Sequence, residues 1–94
     1  MGEIIYASSE SMRFTSISDF KRSISWGCEA EFEWNGVRYF VERYGANNKI
    51  EICVSGHPET EKVCETADDA LEYMVGEDRL RDVITKVTVL SRTI

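Results

Sequence analysis

Between Glu29 and Val54, apolar and polar positions alternate with a period of two, the pattern of strands that bury one face. Asn35-Gly36 breaks the alternation between Glu29-Ala30-Glu31-Phe32-Glu33-Trp34 and Val37-Arg38-Tyr39-Phe40-Val41-Glu42. Both turn residues tolerate positive φ, so the dipeptide predicts a two-residue hairpin loop. The loop pairs Trp34 with Val37, Phe32 with Tyr39 and Ala30 with Val41 on a core face. The other face then carries Glu33 opposite Arg38, Glu31 opposite Phe40 and Glu29 opposite Glu42. A slip of one residue would bury the glutamates, which pins the register. A second turn within Gly45-Ala46-Asn47-Asn48 returns the chain into Lys49-Ile50-Glu51-Ile52-Cys53-Val54. With Asn47-Asn48 as its loop, Val54 lies beside Val41, while Cys53 and Glu51 join Glu42 and Tyr44 on the outer face.

Helical spacing flanks this meander. Ser16 with Asp19 three residues later forms a capping-box arrangement; Ile17, Phe20 and Ile24 share one stripe, and Gly27 offers a stop. Lys21, Arg22, Ser23 and Ser25 fall on the solvated side, and Trp26 closes the helix end over the sheet. After Val54, Pro58 forbids helix, and Glu61 to Glu65 is extended and adds a fourth strand. Thr66 with Asp69 caps a second helix whose stripe is Ala67, Ala70, Leu71 and Met74, ended by Gly76. Asp78 caps a shorter helix with Leu80, Val83 and Ile84 inward. The β-branched run Thr85, Val87, Thr88, Val89 predicts a terminal strand. The expected fold is α+β, in the order α-β-β-β-(β)-α-α-β, with the helices on the sheet face of Phe32, Trp34, Tyr39, Val41, Ile52 and Val54. Residues 1–14 form an N-terminal segment, frayed or an edge strand, and residues 15–94 a single domain. Trp34→Ala should therefore destabilise, and Phe40→Ala should not.

Composition narrows the class without naming a function. The chain has 94 residues, 43% hydrophobic and 30% charged, which suits one folded domain with one modest core. No apolar run is long enough to span a membrane and no signal-peptide core follows Met1, so the expectation is a cytoplasmic protein that does not bind membranes. Cys28, Cys53 and Cys64 are an odd number with no close pair, and read as reduced thiols. A metal site of these cysteines with His57 lacks a Cys-x-x-Cys knuckle, so neither metal nor cofactor is expected.

Charge is more informative. The net charge is −6, yet Glu59 to Asp78 alone holds eight carboxylates (Glu59, Glu61, Glu65, Asp68, Asp69, Glu72, Glu77, Asp78) against Lys62. From Arg79 onward, Arg79, Arg81, Lys86 and Arg92 outnumber Asp82. An acidic domain polarised in this way disfavours direct nucleic-acid binding, which wants a basic face, and suits a basic protein partner. Asp68, Asp69 and Asp78 have a local role at helix starts. No such role attaches to Glu29, Glu31, Glu42 and Glu51 on an open sheet, and Glu59, Glu61 and Glu65 belong to the second carboxylate set that could meet a basic partner. The exposed aromatics Phe40 and Tyr44 complete the candidate binding residues. Catalysis has little to work with. His57 is the only histidine, no catalytic motif occurs, and a Cys53/His57 nucleophile pair would need an exposed turn to fold back on its own strand.

The run Glu-Phe-Glu-Trp-Asn-Gly-Val-Arg-Tyr-Phe, preceded by a capped helix and followed by an acidic Thr-Ala-Asp-Asp-Ala-Leu-Glu-Tyr helix, resembles the small acidic α/β proteins of phages and bacterial mobile elements. The resemblance covers residues 15–94 as an order of elements. It includes anti-CRISPR-type inhibitors, and it implies a non-enzymatic module that occupies a basic, nucleic-acid-binding surface of a larger protein. The alternative is a structural or self-associating accessory protein, with a homodimer seam at Phe40 and Tyr44 or along the terminal strand.

Overall fold

Asn35 and Gly36 both adopt positive φ (53° and 82°), and the hairpin they close joins β1 (Glu29–Trp34) to β2 (Val37–Tyr44). Its register is the expected one throughout, from Trp34 opposite Val37 to Glu29 opposite Glu42. The computed structural model describes residues 13–44 and 49–92. The N-terminal segment before Arg13 and the Gly45–Asn48 turn lie outside the described residues.

β3 (Lys49–Val54) pairs with β2, but two residues away from the expected register: Tyr44 faces Lys49, Glu42 faces Glu51, Val41 faces Ile52 and Tyr39 faces Val54. The connection therefore spans all four residues of the turn. A shift of two keeps every side chain on its own face, so hydrophobic alternation is blind to it. The change matters because it places Glu51 beside Glu42 instead of Tyr44.

β4 (His57–Cys64) is longer than the expected fourth strand and begins at the turn itself. Its pairing slips between Val54 opposite His57 and Ile52 opposite Lys62. Thr60 pins the irregular stretch, its hydroxyl accepting from the Val54 N–H (2.8 Å) and donating to the His57 carbonyl (2.7 Å). Pro58 sits there on an edge strand, where its missing N–H costs no ladder bond. The terminal strand β7 (Thr88–Arg92) pairs antiparallel with β1, which completes a sheet of order β4-β3-β2-β1-β7.

Helix α1 (Ile17–Ser25) has its cap as expected, the Ser16 hydroxyl accepting from the Asp19 N–H at 3.0 Å. Two details differ. Trp26 does not cover the sheet but stands 77% exposed at the helix end. Ser23 is buried, because its hydroxyl accepts a 2.6 Å bond from Arg92 on β7.

Helix α2 is a single turn, Ala67–Ala70, capped by Thr66. It stops short of Met74 in a tightened turn, where the Glu72 and Tyr73 N–H groups donate back to the Asp69 and Ala70 carbonyls, and Tyr73 then packs edge-on to Tyr39 while its hydroxyl donates to the Thr60 carbonyl (3.0 Å). Val75 is buried while Met74 is exposed. A small hairpin follows, β5 (Met74–Val75) and β6 (Asp78–Arg79), turned at Gly76 with φ 80°. Asp78 is thus in a strand and does not cap a helix; it accepts the Trp34 indole N–H at 3.0 Å. α3 (Leu80–Val83) starts at Arg79 without a side-chain cap, though Leu80, Val83 and Ile84 are buried as expected.

One core results. Phe20 and Ile24 of α1, Ala70 and Leu71 around α2, and Leu80 and Ile84 around α3 all pack on the sheet face that carries Phe32, Tyr39, Val41, Ile52 and Val89. Phe14, just before the helix, is fully buried in it, edge-on to Phe20 at 5.2 Å between ring centres. No described element covers the opposite face of the sheet.

Candidate functional site

The uncovered face is a grid of three rows across β1, β2 and β3. In-register neighbours on adjacent strands lie ~4.8 Å apart, and same-face residues along a strand ~6.6 Å apart. The first row is Glu29, Glu42, Glu51; the second is Glu31, Phe40, Cys53. The third begins with Glu33 and Arg38, and Ser55 extends it, its N–H bonded to the Arg38 carbonyl at 2.9 Å. Alternation decides which residues share the face, and the register of β3 decides which of them touch.

The first row is electrostatically unfavourable by itself. Burial pushes the Glu42 carboxyl above the usual carboxylate range, and the charges of Glu29 and Glu51 on either side add to the effect. On its far side Glu51 meets Val63 of β4, so the acidic row ends against an exposed valine. Glu31 leans across β2, where its Oε2 accepts from the Ser55 hydroxyl at 3.0 Å. Phe40 is half-buried at the centre of the grid. Glu33 and Arg38 face each other in register, and no ion pair within 4.0 Å joins them among the described residues.

The carboxylates of the Glu59–Asp78 segment do not form a second patch. Glu59 holds His57 (3.2 Å), and Glu65 holds Lys49 (3.0 Å). Asp68 sits between Lys21 (3.0 Å) and Arg81 (3.7 Å), while Glu72 bridges Arg79 (3.2 Å) and Arg81 (2.9 Å). Bonds from these cations draw Asp68 and Glu72 below their ordinary pKa. Glu61 is exposed on edge strand β4. Of the eight carboxylates, Asp68 and Glu72 are answered by Arg79 and Arg81, which follow the segment, and Glu65 and Asp68 by Lys49 and Lys21, which precede it.

Cys53 shares the acidic face, and burial first, then Glu51 and Glu42, push its thiol up. Such a cysteine is a poor nucleophile at neutral pH. His57 directs its Nδ1 at Glu59, and no group of three or more His, Cys, Asp or Glu side chains among the described residues has the geometry to hold a metal ion. A groove of about 350 Å³ opens on the helix side, between Lys21, Arg43, Glu65 and Asp68. Its cations are engaged: Lys21 with Asp68, and the Arg43 guanidinium with the Ser25 carbonyl.

Glu29, Glu31, Phe40, Glu42 and Glu51 are thus brought together, Tyr44 lies further along β2 opposite Lys49, and Glu59, Glu61 and Glu65 are dispersed along the edge. Sequence reasoning omitted Cys53, Ser55 and Val63 from the site. The period-two pattern contained the signal for Cys53, but placing Ser55 and Val63 required the β3 and β4 registers. A scan against protein-family models finds no match, and neither a search of curated proteins nor one of solved structures returns a match.

Proposed function

We propose that this chain is a non-enzymatic acidic protein-binding module whose outer sheet face docks on a basic surface of a larger protein, of the kind that otherwise holds nucleic acid. One observation carries the reading: Glu29, Glu42 and Glu51 lie in register across three neighbouring strands, on a face that no described element covers. Like charges directly opposite one another destabilise a sheet. A basic partner would relieve that repulsion, and this is where the row gains by binding. The mobile-element setting implied by the sequence resemblance is compatible with such an inhibitor, and an Asp/Glu surface would compete with phosphates for the same cations.

The test is affinity capture of basic proteins at low and high salt, with nuclease present, comparing the wild-type chain with a Glu42→Gln/Glu51→Gln variant. Salt-sensitive capture that the variant loses supports the proposal; identical capture by both removes it. Self-association is the second reading, and it is favoured by β7 lying at a sheet edge with no described strand on its outer side. Light scattering at micromolar concentration decides it, since a strictly monomeric species would leave the edge unused.

A further inference from the structure

We infer that the outer face selects arginine over lysine in its partner, with Phe40 as the platform for the guanidinium and the glutamates around it as the acceptors. This rests on the docking role proposed above and specifies the chemistry it would recognise.

Phe40 is the only aromatic residue in the three rows. Glu31 faces it from β1 and Cys53 from β3; Glu42 follows it on the same face of β2, and Glu29, Glu33 and Glu51 lie on the diagonals. The ring is half-buried, so its position is set by the sheet while part of it stays accessible. An aromatic face draws cations through its negative quadrupole, and it favours guanidinium, which is planar and more weakly hydrated than ammonium. A stacked guanidinium also directs its N–H groups outward in the plane of the ring. Carboxylates beside the ring can accept them in the forked geometry that an ammonium cannot match. Charge alone would serve lysine and arginine equally; the ring among the carboxylates breaks the tie. The same chain shows the contact elsewhere, where the Arg92 guanidinium lies 4.4 Å from the centre of the Phe14 ring with the Asp19 carboxylate at 2.9 Å.

The experiment titrates the folded protein with blocked hexa-arginine and hexa-lysine peptides, probes of equal charge, and follows backbone amide shifts. Hexa-arginine should bind about threefold or more tightly, with the largest shifts around Phe40 and Glu42. Phe40→Leu should bring the two peptides to within about 1.5-fold of each other, and Phe40→Tyr, which retains the ring, should keep the preference. Thermal melts confirm that both variants are folded. Equal binding of the two peptides to the wild type, or a preference that survives in Phe40→Leu, overturns the arginine inference and leaves the docking role standing. Binding of neither peptide overturns both.

Discussion

The two faces of the central sheet share their strands but solve opposite problems. On β2, Tyr39 and Val41 are buried under the helices, while Phe40 and Glu42, alternating with them, face outward. Each face also has its partly buried carboxylate. On the helix side, Asp19 accepts from the Thr15 N–H (3.0 Å) and the Arg92 guanidinium (2.9 Å); burial works to raise its pKa, but these bonds outweigh it and hold it low. On the outer side, burial raises the Glu42 pKa, and the charge of Glu29 and the hydrogen bond and charge of Glu51 add to it. The helix-side carboxylate is met by a cation and a backbone donor, whereas Glu42 has glutamates as its in-register neighbours on both sides, and that concentration of like charge is what a basic partner would complement.

The sharpest way to break that comparison is to truncate one aromatic on each face. Phe32 is fully buried and stacked on Tyr39 at 5.4 Å, so Phe32→Ala should cost about 3–5 kcal/mol in urea unfolding. Phe40→Ala should cost less than about 1 kcal/mol, since the ring is half-exposed and little cavity is left. Trp34, the sequence's first choice for this test, is only partly buried and is held by its bond to Asp78, which makes Phe32 the cleaner reporter. Comparable losses at Phe32 and Phe40 would mean that the outer face is not open.

The helix-side clasp comes next in size. The Arg92 side chain is 11% exposed and bonds both Asp19 and Ser23, tying the last strand to the first helix. Arg92→Ala removes the 2.9 Å partner of Asp19 and leaves it the Thr15 N–H and the more distant Arg22 (3.8 Å), and should cost on the order of 2 kcal/mol. Because the folded pKa of Asp19 is lowered, its contribution is present above the unfolded value near 3.8 and disappears as pH falls through the folded one. Wild type and Arg92→Ala should therefore converge in stability under acid. A gap that stays constant down to the acid transition would assign the loss to packing on Phe14 instead of to the ion pair.

The sequence carried the features whose causes are local: the Asn35-Gly36 register, the Ser16 and Thr66 caps, and the alternation that assigns faces. It failed where two solutions satisfy the same local pattern. A shift of two residues along β3 preserves every face, and only the length of the turn distinguishes the registers. Ala67 to Met74 fits a helical stripe as well as a single turn followed by a hairpin, and the choice falls to Tyr73, whose contacts with Tyr39 and Thr60 are remote in sequence. The candidate site inherited the first error, since its decisive feature, Glu51 beside Glu42, exists in one register only.

The two acidic sets can be compared through binding. Glu29→Gln with Glu42→Gln should weaken any salt-sensitive partner by about 1 kcal/mol or more, whereas neutralising Glu59, Glu61 and Glu65 should change it less, because Glu59 and Glu65 already serve His57 and Lys49. The opposite ranking in a competition assay would move the site to the β4 edge.

The smallest effect is the most specific to the row, and it needs no partner. Glu42 holds its proton to a higher pH in the folded chain than in the unfolded one, where the ordinary value is 4.5. Its contribution to stability is therefore full below that value and is lost as pH rises through the raised folded pKa, the reverse of Asp19. Glu42→Gln removes the desolvated charge, and with it the repulsion from Glu29 and Glu51, without changing shape. At pH 7 the variant should be more stable than wild type by a few tenths of a kcal/mol, the scale of an opposed like-charge pair across a sheet. Near pH 4 the difference should shrink toward zero, because wild-type Glu42 is then largely protonated. Paired urea melts at the two pH values read this directly. A variant that is less stable at pH 7 would mean that the Glu42 carboxylate makes a favourable contact in the folded chain, and the outer row would then be as structural as the acids of the helix side.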